Sequence, residues 1–475
     1  MTKKYVPTIG LEVHAELKTQ TKMFCGCKND PHDGAPNTHV CPVCTGQPGT
    51  LPVPNESAIE SVLLFGRAVD ATQAQYSEFD RKNYFYPDIP KAYQISQYKY
   101  PFLEGGSLKG VSLTRVHLEE DTARSQHDKG QDSLVDFNRA GVPLMELVTE
   151  PVITNATEAG DFARELQLLL RTLGISDANM ERGEMRVEAN ISVSSEAGVM
   201  SKRYVEVKNI NSFKAVESAI EYEIKRQTEL LESGGELTQE TRGWDENKSQ
   251  TFSQRSKETA KDYRYFPDPD ILKLKVDEYP SFELSRLDKK IPVLPNEKRT
   301  IYHNLSVKED QIEILVSNTV LAAFFDETIQ LLNSNAAQII TAVNYITSDV
   351  LAALNKGEVT LADMAAEDFA TLIVMLDADD ISSRGAKDLL PHLFAGKKDT
   401  KALATELGLL QVSDDSQLAG IISKVVADNP EPVSQFKAGK DEALKYLVGQ
   451  GMKESRGAAN PAKLAELLTT FIRDN

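Results

Sequence analysis

The run Ile9-Gly-Leu-Glu-Val-His-Ala-Glu-Leu17 constrains this chain more than any other stretch. Apolar and polar residues alternate along it, which is the period of a strand buried on one face only. Leu11, Val13, Ala15 and Leu17 turn toward a core, while Glu12, His14 and Glu16 share the opposite face. Two carboxylates flanking an imidazole make a seat for a hard divalent cation.

The pattern recurs. Arg186–Val193 sets Val187, Ala189, Ile191 and Val193 against Arg186, Glu188, Asn190 and Ser192. Tyr204–Asn209 sets Val205 and Val207 against Glu206 and Lys208, and Val116 and Leu118 alternate with His117 and Glu119 before Glu120 and Asp121. Met145 and Leu147 bracket Glu146. An ordinary exposed sheet face favours Thr, Lys and other mixed polar residues. A face that is repeatedly Glu, Asn, Arg and His reads as a working surface, a tray of functional groups.

Two amphipathic helices follow the acidic strands. Asn155 caps the first, with Glu158 three residues on, and Ala159, Phe162, Ala163, Leu166, Leu169, Leu170 and Leu173 form its stripe up to Gly174. Phe213, Val216, Ile220, Ile224, Gln227 and Leu231 mark the second, which stops at Gly234-Gly235. Both are expected to cover the apolar face of the sheet. Strands and helices in this proportion predict an α+β domain with a largely antiparallel sheet.

At 475 residues the chain is too long for one ordinary core, so two or three domains are expected. The Pro-rich run Ile291–Pro295 reads as a linker, and beyond it strand patterns give way to successive helical stripes. No apolar run is read as a membrane helix, and no signal peptide follows the initial lysines, so a cytoplasmic protein is expected. The formal charge of −18 excludes a protein that coats nucleic acid by bulk attraction. Any nucleic-acid contact needs a local basic surface. One such surface is Lys437, Lys440, Lys445, Lys453, Arg456, Lys463 and Arg473 near the end of the chain.

All four cysteines cluster as Cys25-x-Cys27 and Cys41-Pro-Val-Cys44 around a loop rich in Asp, Pro, Gly and Asn. Four thiolates with no open position suit structural, tetrahedral Zn²⁺. The segment Ser77–Tyr98 mixes Arg81, Lys82 and Lys91 with Tyr84, Phe85, Tyr86 and Tyr93, and reads as a long irregular functional loop that could hold phosphate, base or ribose. The segments 240–246 and 262–270 read as a further irregular pair rich in Arg, Tyr and Asp. Neither a phosphate loop of the G-x-x-x-x-G-K-[S/T] kind nor a G-x-G-x-x-G fingerprint occurs. A nucleotide would therefore bind through carboxylate-held metal plus Arg and Lys, an arrangement that suits phosphoryl transfer.

Several long motifs carry a family resemblance. The runs 9–17, 79–87, 117–121, 136–146, 206–213, 262–270, 447–453 and 457–461 resemble, in order and nearly end to end, the GatB family, the B subunits of the glutamyl/aspartyl-tRNA amidotransferases. The resemblance implies a catalytic cradle over 1–293 with a fold similar to glutamine synthetase and the guanidino kinases. A helical domain over 294–405 and a small YqeY-like, tRNA-binding tail over 406–475 would follow. It implies ATP- and Mg²⁺-dependent phosphorylation of glutamate mischarged on tRNA(Gln), or of aspartate on tRNA(Asn), and then displacement of phosphate by ammonia. The ammonia would come from glutamine hydrolysis in a separate amidase subunit, and a small third subunit would strap the two larger ones into a heterotrimer. Carried over residue by residue, the metal and ATP site becomes Glu12, His14, Glu120 and Glu146, with Glu119 as alternate, and Lys82 becomes the channel-mouth residue. Glu188, Asn190, Glu206 and Lys208 share the tray by the alternation argument.

Two rival readings are a zinc-ribbon RNA-binding module without catalysis and a small-molecule carboxylate–amine ligase. The first leaves the acidic tray unexplained. The second would not need the helical tail.

Overall fold

The computed structural model describes residues 5–126, 132–195, 201, 203–256, 263–333, 335–357, 359–396, 399–411, 415–455 and 459–474. Two compact units divide the chain at Pro295.

The first unit is built on a ten-stranded sheet. Its strands in chain order are β1 (Val6–Glu16), β2 (Thr72–Gln73), β3 (Leu103–Glu104), β4 (Ser107–Leu108), β5 (Val111–Glu120), β6 (Pro143–Thr149), β7 (Met185–Ser194), β8 (Val205–Ile210), β9 (Glu240–Asp245) and β10 (Gln250–Ser256). The spatial order is β10-β9-β8-β7-β1-β6-β5-β3-β2, with β4 paired to β5. Every pairing is antiparallel except β8 with β9. β1, first in the chain, therefore lies in the middle of the sheet. Among the described residues the architecture is α+β.

The alternation read from the sequence is realised as two faces. Ile9, Leu11, Val13 and Ala15 of β1 are buried with Val116 and Leu118 of β5, Met145 and Leu147 of β6, and Val187, Ala189 and Ile191 of β7. Three helices supply the other half of this core: α1 (Glu56–Ala68), α2 (Ala156–Thr172) and α3 (Phe213–Glu232). The Asn155 side chain accepts from the Glu158 N–H at 2.9 Å and starts α2, while Glu158 reaches back to the Thr154 N–H at 2.9 Å. Ser212 caps α3 through the Ala215 N–H. Along α2, Phe162, Ala163, Leu166 and Leu170 are fully buried, as their spacing predicts. Capped ends and one apolar stripe are what a helix needs to lie on a sheet.

Three local readings need correction. The 77–98 segment is not wholly irregular: Asp80–Asn83 and Tyr93–Ser96 pair antiparallel and join Phe266–Pro267 in a small separate sheet. Residues 240–245 are strand β9, held in register by β8 and β10. Such pairing is long-range and leaves no local pattern. In the second unit, Ala336–Asn355 is long and apolar enough by length and composition to cross a membrane, contrary to the expectation that no such run exists. Ile339, Ala342, Val343, Ile346 and Val350 are its buried positions, the stripe of a helix packed on its neighbours, and a π-turn interrupts it at Ile346–Val350.

The second unit is helical among its described residues apart from the bridge between Ile381 and Leu410 and a bridge position at Ala459. Near its end Leu418, Ile422, Val425, Leu447, Leu464, Leu468 and Ile472 form a small core. Lys437, Lys440, Lys445, Lys453 and Arg473 are exposed around it, and Lys463 pairs with Glu466 at 3.3 Å. Arg456 of the basic set, Gly457 and Ala458 lie outside the described residues, as does Asp262.

Candidate active site

Register places the polar residues of four strands side by side. His117 of β5 stands opposite Glu146 of β6, Glu146 opposite His14 of β1, and His14 opposite Arg186 of β7. One step along, Glu12 faces Glu188, and beyond it Asn190 faces Glu206. Directly opposed residues share a face, so this is one continuous row on the side away from the core.

His14 Nε2 lies 3.3 Å from Glu146, 3.5 Å from Glu119 and 4.0 Å from Glu12, and His117 Nε2 lies 3.1 Å from Glu146. The Glu119 and Glu146 side chains are only 3% and 8% exposed. Burial, then the charges of Glu146 and Glu188, push Glu12 up to about 7. Burial disfavours the His14 imidazolium, but the hydrogen bond and charge of Glu146, with the charges of Glu119 and Glu12, raise it to about 9. Glu146 is opposed by burial too, yet His117 and His14 hold it well below the usual carboxylate range. In the absence of a cation, His14 acts as the counter-charge of a crowded carboxylate cluster.

That donor set fits a divalent metal. Glu12, His14 and Glu146, and likewise His117, Glu119 and Glu146, can bring one ligand atom each within 4.8 Å of one another. Glu12, Glu188 and Glu206 form a third such group. Lys208 already serves that group, 2.7 Å from Glu188 and 3.9 Å from Glu206, and Thr241 donates to Glu206 at 2.8 Å. The first two groups therefore have the greater need of an added cation.

Lys82 comes from the small sheet yet belongs to this site. Burial opposes its charge, but Glu119, Tyr265 and Glu146 hold it well above the ordinary lysine range. Glu120, carried over with Glu119 as its alternate, lies off this row. It follows Leu118 in strand parity, so its side chain leaves the tray and accepts from Lys91 at 2.7 Å and from the Ile95 N–H at 3.0 Å. Glu119, the alternate, occupies the tray position. His117 and Arg186, which the alternation puts on the working face but the carried-over ligand set leaves out, stand in the same row. Arg186 donates to Asp121 at 2.9 Å beside this row.

The four cysteines converge beyond the end of β1. Their sulfurs lie within 4.8 Å of one another, with none in a disulfide. Cys44 Sγ accepts from the Cys41 N–H at 3.2 Å and lies 3.8 Å from the ammonium of fully buried Lys22. A hydrogen bond from Cys25 holds the Cys44 thiol far down, and the same bond pushes Cys25 up. Four converging sulfurs beside an ammonium fit a closed tetrahedral metal site.

A sheet face carrying buried acid and imidazole groups beside a lysine is a donor set able to seat a divalent cation. Comparison with known proteins sharpens this class. Residues 7–280 match the family model described as the GatB/GatE catalytic domain, and residues 323–472 match the GatB domain. A protein of Caldicellulosiruptor saccharolyticus, named as the B subunit of aspartyl/glutamyl-tRNA(Asn/Gln) amidotransferase, is 42% identical over 480 residues, 98% of each chain. Proteins of that name from Campylobacter jejuni and Thermus thermophilus are each 43% identical, covering 98% of this chain and 99% and 98% of their own. The chain belongs to the GatB family of tRNA amidotransferase subunits.

Proposed function

We propose that this chain is the phosphorylating and amidating subunit of a tRNA-dependent amidotransferase. Its substrates are Glu-tRNA(Gln), Asp-tRNA(Asn) or both. In the first step an oxygen of the aminoacyl side-chain carboxylate attacks the γ-phosphorus of ATP. The bond to the bridging oxygen breaks, ADP leaves and an acyl phosphate forms. In the second step the nitrogen of ammonia adds to the acyl carbon, phosphate leaves and the nitrogen gives up a proton.

The observation that carries this reading is the Glu146-centred row of acids and imidazoles next to Lys82, within the segment matched to the family's catalytic domain. Glu12, His14, Glu119 and Glu146 would hold Mg²⁺, which supplies charge neutralisation at the phosphate oxygens. The Lys82 ammonium holds the carboxylate that is to be activated and lies at the mouth of the ammonia channel. Glu188, Asn190, Glu206 and Lys208 line the adjoining nucleotide side. The sheet serves as a cradle of the glutamine synthetase kind. Ammonia arrives from the amidase subunit, a small third subunit completes a cytoplasmic heterotrimer, the cysteine quartet holds structural Zn²⁺, and the basic tail docks tRNA.

The test is Glu146→Gln in the reconstituted complex with ATP, glutamine and mischarged tRNA. Acyl phosphate trapped by hydroxylamine should fall at least about 100-fold, because a lost ligand typically matters by several kcal/mol. Glutamine hydrolysis by the partner should survive. Wild-type acyl phosphate formation by this variant would refute the assignment.

A further inference from the structure

The first unit exposes an aromatic surface that the tray chemistry does not use. Phe85 is 84% exposed, and Tyr86 and Phe266 are nearly half exposed. With Tyr84, Tyr263 and Arg264 they line an open cleft of about 790 Å³. A contiguous apolar patch left in water marks a binding surface more often than an accident. This one is also preorganised. The Asn83 side chain donates to the Arg264 carbonyl at 3.0 Å, the Asn83 N–H to the Tyr263 carbonyl at 2.9 Å, and the Tyr84 ring packs edge-on against Tyr86 and Tyr263.

Charge narrows the occupant. Among the described residues no Asp or Glu lines the cleft, in a chain of net charge −18, and its lining cation is the exposed Arg264. Rings plus a guanidinium and no carboxylate suit the end of a polyanion whose bases have π-faces. Position narrows it further. The Lys82 ammonium lies 5.1 Å from the Tyr263 ring centre and 5.9 Å from that of Tyr84, and it interacts electrostatically with Glu119 and Glu146 on the tray. One lysine side chain thus bridges cleft and tray. An acyl group esterified to a ribose in the cleft would extend across Lys82 to the tray.

We propose that this cleft seats the unpaired terminal nucleotide of the aminoacylated RNA, its base stacked on Phe85 and Tyr86 and its phosphate facing Arg264. The assignment rests on the functional reading above and adds to it the place where the substrate's non-reacting end is gripped.

The experiment is a cycle on the assembled complex: wild type and Phe85→Ala/Tyr86→Ala, each binding intact deacylated tRNA and tRNA trimmed of its terminal nucleotide. Base stacking is worth about 1–3 kcal/mol, or about 5- to 150-fold in affinity. Trimming should cost wild type that factor and cost the variant little. Phe85→Trp should keep the wild-type penalty, and the KM for ATP should not move. An unchanged trimming penalty in the double variant, with a wild type that still amidates aminoacyl-tRNA, overturns the cleft assignment alone. So does a rise in the KM for ATP with tRNA binding intact, which would make the cleft the adenine seat. Failure of the double variant to assemble with its partner subunits would mean that protein covers the cleft, and overturns it too. A wild type inert toward aminoacyl-tRNA overturns the functional reading and this assignment with it.

Discussion

Raising pH in magnesium-free buffer should weaken the first unit through His14. Its imidazolium is raised from 6.5 to about 9 in the folded protein, so the fold binds that proton more tightly than the unfolded chain does. Stability from this source is complete below 6.5 and is lost as pH rises through about 9. Linkage gives a contribution of about 2.5 kcal/mol near pH 7 and roughly 0.2 kcal/mol near pH 9.5, a loss of about 2 kcal/mol. Glu12 has the same sign, but its window runs from 4.5 to about 7 and is closed by then. The chain has one tryptophan, and Trp244 lies in β9 with its ring edge-on to Tyr222 of α3, so its fluorescence reports unfolding of this unit alone. Denaturant titrations followed by Trp244 at both pH values, on wild type and on His14→Gln, isolate the effect, because every other titrating group is common to the two proteins. Equal pH dependence in both would refute the placement of His14 among Glu12, Glu119 and Glu146. Saturating Mg²⁺ should remove the difference, since an imidazole that ligates metal gives up its proton.

Other expectations follow from the same geometry. Glu119→Gln should lower Mg²⁺-dependent acyl phosphate formation by at least about 100-fold with little change in stability, whereas Glu120→Gln should leave Mg²⁺ affinity alone and destabilise the fold by less than about 3 kcal/mol by stranding the partly buried Lys91; calorimetry and magnesium titration separate the two. Elemental analysis should find about one zinc per chain, and Cys41→Ser should lower the melting temperature before it lowers turnover. Removing residues 406–475 should raise the KM for aminoacyl-tRNA and flatten its salt dependence by about 0.9 log units per lost phosphate contact, without moving the KM for ATP.

Much of the site was legible because a strand's period is two and one of its faces is buried. That period alone put Glu12, His14, Glu146, Glu188 and Glu206 on the exposed face. It also separates Glu119, on that face, from Glu120, which turns to Lys91 and the Ile95 N–H. What the sequence lacked was pairing. Nothing local says that β1 lies between β6 and β7, that β8 and β9 run parallel, or that Lys82 from a separate small sheet approaches Glu119. Fully buried Glu223 of α3, bound by Arg226 and Arg242, was invisible for the same reason, since its guanidinium on β9 is nineteen residues away. In the Ala336–Asn355 run, Asn344, Thr347, Ser348 and Asp349 interrupt the apolar residues while the mean hydropathy stays high.

The central place of β1 has a cost during synthesis. The strand leaves the ribosome before either neighbour exists, for β6 begins at Pro143 and β7 at Met185. At about 5–20 residues per second the wait for β6 is on the order of ten seconds. Throughout it, Ile9, Leu11, Val13 and Ala15 have no sheet to join and both backbone edges are open, the condition under which strands recruit one another across chains. A nascent-chain chaperone would find its natural client here. Slowing translation between residues 20 and 140 should therefore lower soluble yield more than the same delay placed after residue 200.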